Sequence, residues 1–118
     1  MLNLNHKKLD VWKHGIQLVK LLYKLTEAYP KEEVFGLTNQ IRRSAVSVPN
    51  NIAEGSARCS VKERIRFYEI SRSSLVEIDN LLEISMELKI IDSNDLTEIN
   101  ENINIAFAKL SKLTEKPK

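Results

Sequence analysis

The 118-residue chain carries 18 Lys/Arg against 16 Asp/Glu, a net charge of +2, and only three glycines and three prolines. That length suits one domain with a real core, and so little Gly and Pro beside a hydrophobic content of 42% excludes a turn-rich β fold in favour of long helices. No apolar run is longer than Ile105 to Ala108, so neither a transmembrane span nor a signal-peptide hydrophobic region is expected, and the expected location is the cytoplasm.

The first helix is predicted over residues 8–28. Its polar strip is narrow, Asp10, Lys13, Gln17, Lys20 and Lys24, while Leu9, Val11, Trp12, Ile16, Leu18, Val19, Leu21, Leu22, Tyr23 and Leu25 cover the remainder. That arc is wider than the roughly 100° stripe a one-sided helix needs, which points to self-association. Pro30 stops the helix, and residues 31–36 make the turn.

The second helix is predicted over 37–54, with Gly55 supplying its end. Its stretch QIRRSAVSVPNNIAEGSAR has no lysine and one acid, although 29% of the chain is charged. Leu37, Ile41, Ala45, Val48 and Ile52 form an apolar stripe, and Gln40, Ser44, Ser47, Asn51 and Glu54 run beside it at the same spacing. Both stripes read as buried. Pro49 lies inside the helix, removes a backbone donor and presses on the carbonyl of Ala45, so a kink or a break is expected there.

Ser60 followed by Glu63 is a capping-box pattern, and it opens a third helix over 60–89. Ser71, Ser74 and Ser85 fall within its apolar arc, where small hydroxyl residues permit a close helix and suit the polar stripe of the second helix. The fourth helix, 93–113, is capped by Asp92 or Ser93 and has one conventional stripe of Leu96, Ile99, Ile103, Ala106, Phe107 and Leu110. A frayed tail is expected from Thr114 to Lys118. Short connections make sequential helices antiparallel neighbours, so the predicted fold is all-α, an up-down-up-down four-helix bundle.

Chemistry is sparse. His6 and His14 are the only histidines and Cys59 the only cysteine; there is no HExxH, nucleophile elbow, glycine-rich phosphate loop or EF-hand loop. No catalytic residue, metal or cofactor is expected, and His14 reads as a hydrogen-bonded packing residue. A buried charge needs a partner. Arg43, Glu54 and Glu77 are therefore expected to form one satisfied polar cluster with Gln40, Ser47 and Asn51, so that removing Glu54 would cost about 3–5 kcal/mol. Residues 1–72 carry a net +6 and residues 73–118 a net −4. Arg58, Lys62, Arg64, Arg66 and Arg72 make the corner between the second and third helices basic, a candidate phosphate-binding surface.

Three blocks, LDVWKHGIQLV, GLTNQIRRSAVSVPNNIAEGSAR and RFYEISRSSLVEID, carry a resemblance to the bacterial four-helix-bundle family encoded by intervening sequences of 23S rRNA genes. The resemblance runs from Leu9 to about Leu113, and its motif positions are Trp12, Gln40, Arg43, Ser47, Pro49, Asn51, Glu54, Gly55 and Glu77. It implies a bundle assembling as a homopentamer, in a family for which no enzymatic activity is established. It also implies kinship with the accessory protein of diversity-generating retroelements, which binds reverse transcriptase and nucleic acid. The expected function is a non-enzymatic, self-assembling interaction module associated with RNA or an RNA-handling partner. The alternative is weak, non-specific binding of RNA or DNA through the basic corner of an oligomeric ring.

Overall fold

The computed structural model describes residues 1–115. A 3-10 turn at Asn5–Lys8 leads into four helices, α1 (Asp10–Thr26), α2 (Leu37–Ser56), α3 (Val61–Glu87) and α4 (Thr97–Leu113), with further 3-10 turns at Lys31–Glu33 and Ser93–Leu96. Among the described residues there is no strand. Local chemistry explains most of the boundaries. Glu33 Oε1 accepts the Leu37 amide at 3.1 Å, satisfying one of the orphan donors at the start of α2. Ser60 Oγ accepts from the Glu63 amide and so caps α3. Asp92 and Asp95 complete a reciprocal capping box around the turn that precedes α4.

The end of α3 carries no glycine signal. Lys89 takes φ 60°, the amide of Lys89 donates to Met86 O, and that of Ile90 donates to Ser85 O, both at 2.9 Å. This is the paired-bond C-terminal motif that normally places glycine in the left-handed position. A lysine there bears a Cβ penalty of roughly 1 kcal/mol. Lys89→Gly is accordingly expected to raise the stability of the fold by about 0.5–1 kcal/mol, since the relieved penalty exceeds the entropy that glycine loses; a urea midpoint that falls would contradict this. At the other terminus of the chain, Thr114 is not frayed. It bonds to Leu110 O and Ser111 O and receives Arg72 Nη1 at 3.4 Å. The Glu115 amide donates to Lys112 O at 3.3 Å, and the remaining residues of the expected tail, 116–118, lie outside the described residues.

Packing closes a ring of neighbours in which α1 touches α2 and α4, and α3 touches α2 and α4. One core joins them, with Leu18, Leu22, Ile41, Ile52, Leu75 and Leu110 removed from solvent. The wide apolar arc of α1 is better covered than its sequence suggests. Val11, Leu18 and Leu22 are buried, Trp12, Val19, Leu21 and Leu25 pack on the core from its edge, and of the large apolar side chains of α1 only Tyr23 stands out, at 39% exposure. Even there, the Arg42 guanidinium lies 4.5 Å from the ring centroid and bonds Thr26 Oγ1 and Tyr23 O. The unpaired apolar surface lies elsewhere on the molecule.

Helix α2 runs unbroken through Pro49. Gly15 of α1 faces the proline ring so closely that a Cβ built on it would sit 3.3 Å from Pro49 Cβ, so α1 rests against the one segment of α2 that lacks an N–H. On the α3 side, the buried hydroxyl of Ser71 donates to the carbonyl of Val48 at 2.8 Å. Gly55 does not end the helix as expected: α2 continues to Ser56, and Gly55 has no positive φ. Its role is steric. A Cβ there would lie 2.9 Å from Tyr68 Cε1 and 3.1 Å from Phe67 Cβ, so the missing side chain sets how closely α3 approaches.

Candidate interaction face

The predicted polar stripe of α2 does meet α3, but through its small residues. Ser44 Oγ donates to Glu77 Oε1. Ser47 and Ser74 share a hydrogen bond of 2.8 Å, and Asn51 Nδ2 donates at 2.9 Å to both the carbonyl and the hydroxyl of Ser47. Ser56 and the Tyr68 hydroxyl lie 2.9 Å apart near the closed end of the pair. Ser85 bonds back to Leu81 O within its own helix, as Ser74 also does to Ile70 O.

The larger members of the expected cluster are not gathered inside the chain. Gln40, Arg43, Glu54 and Glu77 are all exposed. Among the described residues no hydrogen bond or ion pair joins Arg43 to either carboxylate, and Glu54 pairs instead with Arg58, one turn along its own helix, at 3.2 Å. The reason is geometric. In an α-helix the buried arc of α2 centres on Ile41, Ala45, Val48 and Ile52, while Arg43, Asn50 and Glu54 project from the opposite side. Arg42, which the sequence reading passed over, makes the inward contacts, with Tyr23 and Thr26.

Opposite the core, α2 and α3 thus present a continuous outer surface. From α2 come Asn39, Gln40, Arg43, Val46, Asn50 and Glu54, and from α3 come Ile70, Glu77 and Ile84 at seven-residue intervals. Val46, Ile70 and Ile84 are each more than a third exposed. Ile70 and Ile84, two heptads apart on α3 with Glu77 between them, and Val46 on α2, bordered by amides and with no lysine on α2, have the character of a helix-packing seam.

The basic corner disperses. Arg58 lies over the Phe67 ring at 4.8 Å while it pairs with Glu54, and Arg72 reaches across to the Phe107 ring at 5.2 Å and to Thr114. Arg64 is half-buried beside Leu9, Tyr68 and Leu113, on another side of α3 from Lys62 and Arg66. Only Lys62 and Arg66 share one exposed face, and Glu69 accompanies them. The expected convergence of five cations is therefore corrected to a pair, because a helix carries residues two apart to different sides.

The other chemistry-bearing side chains of the described residues lie apart from one another. His14 Nδ1 lies 3.2 Å from Asn102 Oδ1 and ties α1 to α4, as a packing histidine would. His6 is buried edge-on against Trp12, with ring centroids 5.3 Å apart. Cys59 is exposed in the turn between α2 and α3. Among the described residues no group of three His, Cys, Asp or Glu side chains could hold a metal ion, and no helix is long and apolar enough to cross a membrane.

The family model of the 23S rRNA-intervening sequence protein matches residues 7–112. The chain belongs to that family. A crystal structure of a protein of unknown function from the S23 ribosomal protein family of Bacteroides thetaiotaomicron VPI-5482 superposes with a TM-score of 0.79 at 20% identity, covering 90% of this chain and 99% of that one. At that identity the likeness is one of fold. No curated protein matches the chain.

In this member of the 23S rRNA-intervening sequence protein family the block around Pro49 divides its work between two sides. Pro49 and Gly55 face inward, against Gly15 and Tyr68, while Gln40, Arg43 and Glu54 face outward. Within one copy of this intervening-sequence protein Glu54 takes part in a single exposed one-turn ion pair, of a kind worth about 0.3–0.5 kcal/mol. Glu54→Ala is therefore expected to change the unfolding free energy of the single chain by less than about 0.5 kcal/mol, measured by urea denaturation at a dilution where the protein is monomeric. A loss of several kcal/mol there would restore the buried-cluster reading.

Proposed function

We propose that the protein is a non-enzymatic, self-assembling interaction module whose four helices run up, down, up and down, and that the outer surface of α2 and α3 is buried between copies. The reading rests on one observation, the exposed seam of Val46, Ile70 and Ile84 among Gln40, Arg43, Asn50 and Glu77, with no lysine on α2. A solvated helix face is ordinarily rich in lysine and glutamate. This one has the composition of a helix interface, and Arg43 and Glu77, which form no ion pair among the described residues, are charges that a neighbouring copy can satisfy. The pentameric state is suggested by the family resemblance, and a cytoplasmic protein associated with RNA or an RNA-handling partner is the setting that resemblance supplies.

Light scattering after size exclusion tests the assembly. The parent should run at a multiple of its 13.6 kDa chain mass, and Ile70→Glu should reduce it to a single chain that stays helical. A monomeric parent at micromolar concentration would end the proposal. Nucleic-acid binding is a second reading, favoured by the exposed pair Lys62 and Arg66. Two phosphate contacts per copy bind weakly and become useful only when repeated around an assembly. It predicts RNA affinity that falls with salt and with the double change Lys62→Glu, Arg66→Glu; affinity indifferent to both would remove it.

A further inference from the structure

The most exposed aromatic side chain of the protein is Phe35, at 92%, in the turn between α1 and α2, with Val34 beside it half open to solvent. Leu88, in the turn between α3 and α4, is also largely exposed. These two turns lie at the same end of the molecule. Tyr29, which precedes the first turn, is buried in the core that also holds Leu81 and Leu82 of α3 and Leu96 of the turn before α4, with Ser85 and Asp95 near its hydroxyl, so the chain segments around 29, 85 and 95 adjoin one another. Together the segments 27–36 and 87–95 carry six carboxylates and two lysines. Glu27, Glu32, Glu87, Asp92 and Asp95 are all exposed. The end is thus strongly acidic on a chain whose net charge is positive, and it displays an aromatic ring that costs solvation and packs against nothing.

We propose that this end docks a basic amphipathic helix of a partner protein, with Phe35 as the apolar anchor and the surrounding carboxylates pairing with the partner's Lys and Arg. The inference rests on the reading of the protein as an interaction module and supplies the chemistry of one partner. Charge selects among the occupants. Nucleic acid and anionic lipid surfaces are repelled by the carboxylates. A second copy of the chain is a poorer complement: its exposed Lys13, Lys20 and Lys24 lie on a helix whose apolar side is packed into the core, and its exposed Lys62 and Arg66 alternate with Glu63 and Glu69 around the groove of Val61, Ile65 and Ile70. A Lys/Arg-rich helix with an apolar stripe satisfies both features of the surface: burial of Phe35 supplies affinity, and the carboxylates supply encounter rate and selectivity.

The test is fluorescence anisotropy with two labelled helical peptides, one of leucine and lysine in amphipathic order and one with every lysine replaced by glutamate, titrated with the full chain. The lysine peptide should bind, more weakly as salt rises. Its affinity should fall at least about tenfold with Phe35→Ser and with the double reversal Glu32→Lys, Glu87→Lys. Phe35 is so exposed that its replacement should leave the melting temperature unchanged, and circular dichroism checks this. Equal binding of the two peptides, or affinity untouched by both variants, overturns the proposal. Light scattering on the same samples keeps the two readings apart: a monomeric parent that still binds the lysine peptide through Phe35 supports the docking site and sinks self-assembly. A Phe35→Ser variant that falls apart, from a parent that ignores the peptide, assigns the surface to a second copy and overturns the docking site.

Discussion

Gly55→Leu is expected to destabilise the protein by about 3 kcal/mol, near the upper end of what overpacking costs. In thermal unfolding that corresponds to a fall of roughly 10–20 °C for a chain of this size. The first added atom alone would lie 2.9 Å from Tyr68 Cε1 and 3.1 Å from both Tyr68 Cδ1 and Phe67 Cβ. The Tyr68 ring is buried and its hydroxyl is held against Ser56 at 2.9 Å, so turning the ring aside would break that bond. Either α3 moves off α2, loosening the Ser47–Ser74 and Ser71–Val48 bonds that depend on close approach, or the ring is forced off its rotamer. The opposite outcome is well defined. If Gly55 merely occupied a helix, leucine would stabilise by close to 1 kcal/mol through propensity, and the melting temperature would rise.

The second large effect is expected at Leu75. It is fully buried at the middle of α3, whereas the adjacent Val76 is 56% exposed. Leu75→Ala removes three carbons from a packed site bounded by several helices, and such truncations cost about 3–4 kcal/mol when the surroundings cannot collapse. Val76→Ala should change the stability of the single chain by less than about 0.5 kcal/mol. Urea denaturation of the two variants under monomeric conditions makes the comparison. Similar losses at both positions would mean that α3 is rotated about its axis relative to the description above.

Much of this fold was legible in the sequence because helices announce themselves twice, by periodicity and by their ends. The apolar stripe Leu37, Ile41, Ala45, Val48 and Ile52 is buried as its spacing requires, and Ser60 and Asp92 cap where their side chains suit the task. Signals that depend on a second helix were less legible. Gly55 reads as a terminator along the chain, because nothing local reveals that Tyr68 comes to lie over it. Lys89 gives no sign of its left-handed backbone, since the position usually carries glycine. Arg42 and Arg43 are adjacent and chemically identical, and only the phase of α2 against α1 decides that the first stacks on Tyr23 while the second faces outward.

The candidate face was read in part, for a related reason. The lack of lysine across α2 did mark an unusual surface, but a single chain cannot say whether such a surface is covered by its own α3 or by another molecule. The serines of the stripe, Ser44 and Ser47, are short enough to be satisfied by Glu77 and Ser74 of α3 directly. Gln40, Arg43 and Glu54 lie at helical phases turned away from the buried arc and so stand on the outer side.

Whether that outer side is buried between copies is tested most directly by thiol accessibility at its centre. Asn50 is exposed within one copy, so Asn50→Cys, on a Cys59→Ser background that removes the exposed native thiol, places a single reporter there. Labelling should be slow at concentrations where the protein is assembled, and fast on dilution or when Ile70→Glu is added. A labelling rate that is fast and independent of concentration, in protein shown by light scattering to be assembled, would place the contact between copies on some other surface and contradict this account.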